Sequence, residues 1–157
     1  MINERYAKTL TIVFVCFMYG TGYGYHMDDP IMANSASPGE KLRSDIAITI
    51  FLNTPDSYDG GVLEIKTASA SKTHRGNAGD AIMYPANTLH RVTEVTRGYR
   101  EVAVTWMQSM VPDPARREIL YQLYSVKEAL YNQDPESETF EKANTAYLNL
   151  VRQWARI

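Results

Sequence analysis

Cysteine is almost missing from this chain. Cys16 stands alone, so no internal disulfide can form, and a reducing, cytoplasmic compartment is the natural expectation. An excess of either charge is also missing. Lys and Arg number 16 against 18 Asp and Glu, for a net charge of −2, and the basic residues are scattered rather than striped. That argues against a nucleic-acid partner. Nor is there an apolar run with the length and flanks of a membrane span or a leader. Residues 10–18, LTIVFVCFM, are too few to cross a bilayer as a helix, and no small-residue cleavage site follows them. Their β-branched and aromatic content predicts a buried strand, and no membrane association is expected. No low-complexity segment or internal repeat interrupts the 157 residues. What remains is an ordinary soluble composition, 45% hydrophobic and 22% charged, enough for one good core.

Two kinds of pattern divide the chain near residue 110. Before it, short strands alternate with turn chemistry. Residues 46–52 (IAITIFL) are apolar on both faces and belong inside a sheet. TPDSYDGG at 54–61 is a turn leading into VLEIK, and NAGD at 77–80 is a turn leading into AIMYP. A strand from 90 to 95, a turn at Arg97-Gly98 and a strand from 100 to 108 complete a series that predicts an all-β sandwich or barrel over residues 1–110. After it, Asp113-Pro114 and Asp134-Pro135 each read as an N-cap acid before a first-turn proline. Ile119, Leu123, Val126 and Leu130 form one helical stripe, and Phe140, Ala143, Tyr147, Val151 and Trp154 a second. Residues 111–157 are therefore expected to form a helical hairpin whose stripes pack inward.

The chemistry concentrates around GTGYGYHMDD at 20–29. On a strand, residues two apart face the same way, so His26 and Asp28 would project together, with Gly22 and Gly24 leaving room beside them. Of the two other histidines, His74 lies in SASKTHRGNAGD and reads as an exposed loop residue. His90 opens a strand; alone it has a plain structural reading, but with His26 and Asp28 it completes two imidazoles and a carboxylate. That set is the facial triad of non-haem Fe(II) oxygenases, which leaves coordination positions open. Arg100, ten residues on, shares a face with Val102, Val104, Trp106 and Gln108. An arginine among such neighbours needs an anion. A structural salt bridge would supply one, and so would a dicarboxylate gripped by the guanidinium fork.

These residues, in this order, carry a resemblance. GYHMDD, RSDIAITIFLN, YDGGVLEI, AGDAIMYP, LHRVTEVTRGYREVAVTWMQSMV and AYLNLVRQWA together resemble the Fe(II)/2-oxoglutarate dioxygenases of the prolyl 4-hydroxylase-like group, and within it the PKHD-type hydroxylases. The first segment is also similar to the GTGY-x-x-H-x-D stretch of animal oxygen-sensing prolyl hydroxylases. The resemblance implies a mainly β fold, a double-stranded β-helix of jelly-roll or cupin type, followed by that family's helical extension. It implies Fe(II) held by His26, Asp28 and His90, 2-oxoglutarate gripped through its far carboxylate by Arg100, and ascorbate as an accessory reductant. It further implies hydroxylation of a peptide or protein side chain, proline foremost, with succinate and CO2 released. Asp28 sides with hydroxylation, since halogenating relatives lack that carboxylate.

Two features depart from the pattern. Only 25 residues precede His26, so the first strand alone, another subunit of a homo-oligomer or an open barrel stands where relatives have more chain. The tyrosines that help hold 2-oxoglutarate in oxygen-sensing relatives correspond to Cys16 and Phe51, which leaves Tyr19 or Tyr84 as substitutes. Met27 and Trp106 are candidate pocket residues, each with an ordinary packing reading beside it. Residues 29–43 and 69–77 are the rim loops in which substrate choice would reside. Two other readings stay open: a cupin-type barrel with different metal chemistry, and a non-catalytic binding module.

Overall fold

A computed structural model describes residues 7–9, 12–33, 39–67 and 69–156. In chain order the strands are β1 (Ala7–Thr9), β2 (Val13–Met18), β3 (Tyr23–His26), β4 (Ile31–Ala33), β5 (Lys41–Arg43), β6 (Ile46–Phe51) and β7 (Asp59–Gly60). There follow β8 (Leu63–Lys66), β9 (Ser71–His74), β10 (Ala81–Pro85), β11 (His90–Val92), β12 (Val95–Arg97) and β13 (Tyr99–Ser109). Two helices close the chain, α1 (Pro114–Gln133) and α2 (Glu138–Trp154). The described residues fall into two compact units, 7–108 and 109–156.

The first unit is the jelly-roll barrel. Its larger sheet runs β1-β13-β6-β10, with β2 also paired to β13, and its smaller sheet runs β3-β11-β8-β9. The apolar run of β6 takes the expected interior place, antiparallel to β10 on one side and β13 on the other. It can do so because both its faces are covered: Ala47, Thr49 and Phe51 are buried, and the alternating isoleucines half-buried. Ala47, Leu63, Ile65, Tyr84 and Ala86 form a core to which both sheets contribute.

Several expectations need correction. β2 is not a buried strand, since Phe14 is 75% exposed and Cys16 and Met18 lie open on the same face. Val13, Val15 and Phe17 turn toward the barrel's cavity, the last two half-buried, and β13 is the one strand β2 pairs with among the described residues. (Residues 10 and 11 of that run lie outside the described set.) The segment around His74 is the strand β9, antiparallel to β8, and His74 is half-buried opposite Leu63. The strand foreseen over 90–95 is broken at Thr93 and Glu94 into β11 and β12. The rim segment 29–43 contains the β4–β5 ribbon; residues 34–38 lie outside the described set.

Glycine has a steric role at Gly60 in β7. Its φ is +70°, and a Cβ there would stand 1.9 Å from the Glu94 carbonyl oxygen. Gly60→Ala is therefore expected to cost at least about 2 kcal/mol, since strain and a backbone collision act together. Urea unfolding measures it, and Gly24→Ala, whose Cβ would meet nothing within 4 Å, should leave the midpoint unchanged.

In the second unit Asp113 caps α1 as foreseen, its side chain accepting from the N–H groups of Ala115 and Arg116. The second helix opens three residues later than the Asp-Pro signal suggests. Asp134 instead ends α1 and takes the Glu136 N–H at 3.0 Å, while Ser137 caps α2 by accepting from Phe140 N–H. The α1 stripe is also rotated: Leu120 is buried, whereas Ile119 and Val126 are exposed. Ring pairs Tyr124–Tyr147 and Tyr131–Phe140 show which face meets α2.

Candidate functional site

His26 and His90 are direct cross-strand partners in β3 and β11, which brings their ring centroids to 4.2 Å. Each Nδ1 lies 2.8 Å from a main-chain carbonyl two residues earlier, that of Gly24 and that of Thr88. A carbonyl only accepts, so each Nδ1 carries the proton and each Nε2 keeps a lone pair for a metal. Tyr23 packs edge-on against His26 at 4.3 Å, and Tyr84 against His90 at 5.0 Å.

Asp28 joins them from outside the strand. β3 ends at His26, and the Asp28 N–H bonds to the Ala86 carbonyl at 3.3 Å, aiming the carboxylate back at the imidazoles. Its Oδ1 is 4.0 Å from His26 Nε2 and 3.8 Å from His90 Nε2, while the buried Oδ2 has no hydrogen-bond partner among the described residues. The three ligand atoms lie within 4.8 Å of one another. One ion at ordinary ligand distances of about 2.0–2.2 Å would draw them together with sub-ångström shifts. Two neutral imidazoles and a carboxylate on one side, with the cavity on the other, fit a metal that keeps positions for small ligands.

The triad faces a cavity of about 400 Å³. Arg100 lines it too, from β13, only 1% exposed, with no hydrogen-bond partner for Nε, Nη1 or Nη2 among the described residues. Burial pulls its pKa down, opposed by the neighbouring Tyr58 and Tyr84 hydroxyls. The salt-bridge alternative for Arg100 has no acid to support it among the described residues; the guanidinium instead sits near the rings of Phe17 and Phe51, at 5.3 and 5.6 Å. A sealed cation without an anion costs several kcal/mol, and a carboxylate ligand would remove that cost.

The other residues singled out in the sequence divide. Tyr84 is in the cavity wall, as is Thr49; burial first, and then Asp28, push the Tyr84 phenol pKa up, so it stays protonated. Tyr19 is 73% exposed and is not part of the wall, because the chain turns at Tyr19-Gly20 once β2 has ended. Its neighbour Phe17 is the β2 residue facing Arg100. Met27 and Trp106 both line the cavity, and the Trp106 indole N–H is buried without a partner among the described residues.

A β-bulge explains what the period-two reading missed. Between His26↔His90 and Tyr23↔Val92, β3 spends one residue more than β11. Tyr23 therefore lines the cavity with His26, three positions away. Gly22 gives no room beside the ligands. A Cβ there would meet the Val92 carbonyl oxygen at 2.9 Å, so this glycine permits close approach of the backbones. Thr49, also in the cavity wall, was missed because it hid in an apolar run.

Comparison with known proteins gives a consistent picture. The profile of the 2OG-Fe(II) oxygenase superfamily matches residues 13–108. A PKHD-type hydroxylase of Synechococcus is 40% identical over 147 residues, covering 94% of this chain and 64% of that protein. Those of Teredinibacter turnerae and Colwellia psychrerythraea are 44% and 41% identical, over 91% and 98% of this chain and 63% and 67% of theirs. The chain thus spans about 64% of the length of the first of these relatives. Among solved structures, an oxidoreductase of the 2OG-Fe(II) oxygenase family from Burkholderia pseudomallei shares the fold at TM-score 0.52 and 16% identity, over 65% of this chain and 45% of that one. A Pseudomonas putida prolyl-4-hydroxylase does so at 0.50 and 20%, over 62% and 51%. No helix among the described residues is long and apolar enough to cross a membrane.

Proposed function

This chain belongs to the 2OG-Fe(II) oxygenase superfamily, and from that premise we propose that it is an Fe(II)- and 2-oxoglutarate-dependent dioxygenase hydroxylating a peptide or protein side chain. The observation that carries the reading is the buried, unpartnered Arg100 in the same cavity as the His26–Asp28–His90 triad. Iron held there would supply the redox chemistry that couples O2 and 2-oxoglutarate to hydroxylation, releasing succinate and CO2.

The protein's own residues hold, orient and exclude. His26, His90 and Asp28 hold the metal, their imidazoles fixed in the correct tautomer by the Gly24 and Thr88 carbonyls. Arg100 takes the far carboxylate of the cosubstrate through its fork. Tyr84 braces His90 and lines the same cavity wall as Arg100. Val102, Val104 and Leu63 keep that stretch apolar, which strengthens the electrostatic grip on the dicarboxylate. Tyr23 and Met27 line the cavity yet stay more than half exposed, so they would form its mouth. An uncharged side chain such as proline suits that apolar, aromatic approach better than a phosphate or a carboxylate does.

Anaerobic titration with Fe(II) and then 2-oxoglutarate is expected to produce the visible charge-transfer band of the chelate. Admission of O2, with ascorbate present to keep iron ferrous, should then release succinate even without a protein substrate. If freshly loaded protein gives neither band nor succinate, the dioxygenase reading fails. A barrel with other metal chemistry, or a binding module, would then take its place.

A further inference from the structure

Tyr58 is 0% exposed, yet among the described residues its hydroxyl has no hydrogen-bond partner of proper geometry. A buried, unpartnered hydroxyl is costly, and the Arg100 side chain, buried as well, packs with the same ring around Gly61. Gly61, with φ +57°, makes the meeting possible. A Cβ at that position would stand 3.0 Å from Arg100 Cδ and 3.2 Å from Tyr58 Cε2, so the two side chains close over a place that only glycine leaves empty. Tyr58 is clamped from elsewhere as well. The Arg75 guanidinium lies 4.4 Å from its ring and donates to the carbonyls of Pro55 and Tyr58. Arg100 lines the cavity and Tyr58 does not.

An arginine offers five N–H donors, and a bidentate carboxylate satisfies two of them. The rest need acceptors, and no described carboxylate lies within 4 Å of Arg100. We propose that Tyr58 is a positioning residue for Arg100: its hydroxyl oxygen accepts a guanidinium N–H left over by the ligand carboxylate and so fixes the plane of the fork. Tyr58 touches neither metal nor cosubstrate and acts only through the arginine. The inference rests on the dioxygenase reading of the cavity and adds to it a residue on the far side of the wall.

Tyr58→Phe tests this, since it removes one oxygen and keeps the ring. The dissociation constant for 2-oxoglutarate, read from the anaerobic charge-transfer band, is expected to rise about tenfold, the usual worth of a hydrogen bond to a charged group. Fe(II) affinity should be unchanged, and kcat at saturating 2-oxoglutarate should stay within about twofold. The thermal midpoint of metal-free protein should hold or rise, because a buried unpartnered hydroxyl has gone. That opposition of signs separates positioning from packing. A joint fall in thermal midpoint and iron affinity would mark a packing role and overturn the proposal, as would 2-oxoglutarate binding equal to wild type. Wild-type protein that binds iron but no 2-oxoglutarate would overturn the dioxygenase reading and this inference with it.

Discussion

Arg100→Met is expected to eliminate 2-oxoglutarate binding while leaving Fe(II) bound and the barrel folded. Among the described residues the guanidinium is the one lysine or arginine charge in the cavity wall, and so the one fixed cation there for a distal carboxylate. Loss of a buried, hydrogen-bonded charge partner costs about 2–5 kcal/mol, or roughly 30-fold to 5,000-fold in affinity. Methionine fills similar space without a charge, so the metal-free variant should unfold at a higher temperature than wild type: its sealed, unpaired cation has been removed. Calorimetric titration with 2-oxoglutarate, metal analysis and thermal unfolding measure the three effects separately. Retained binding would mean that the cosubstrate is held elsewhere. A protein stabilised by losing its best-sealed charge would show that this charge is kept for a ligand.

Asp28→Ala should be more severe for the metal. It removes the only anionic ligand of the triad and leaves two neutral imidazoles. Loss of a residue that merely orients a ligand costs 10–100-fold in metal affinity, so loss of the ligand itself should exceed about 100-fold. Succinate release should fall below detection at micromolar iron. The fold should survive, because Asp28 lies outside β3 and the Ala86 carbonyl bonds to its backbone N–H, which alanine retains. Iron content after desalting and the charge-transfer titration measure the loss. Stoichiometric iron in Asp28→Ala would remove this triad as the metal site.

The triad was legible because its residues are chemically rare. With three histidines in the chain, one of them in His-x-Asp, few combinations exist. Arg100 was legible by contrast with its neighbours, as one charge on a face of valines and tryptophan. What escaped depended on geometry that a residue pattern does not encode. Tyr23 faces the cavity only because the bulge shifts the parity of β3. Tyr58 sits in a segment whose Asp, Ser and Gly spell a turn, and the turn is real; its tyrosine swings inward only because Gly61 makes way. Tyr19 failed for the opposite reason. An attractive residue type fell where β2 had already ended and the chain was reversing. The second helix shows the same limit, since Asp-Pro and Ser137 offered rival starts and local hydrogen bonds decided between them.

The imidazole tethers bear on how the site can evolve. The groups that orient His26 and His90 are the carbonyls of positions 24 and 88, and every amino acid carries a carbonyl. A point mutation at either position can change a side chain but cannot delete the acceptor. The aim of both histidines is thus written in the course of the chain, which lets the surrounding walls drift toward new substrates while the metal's grip stays inherited.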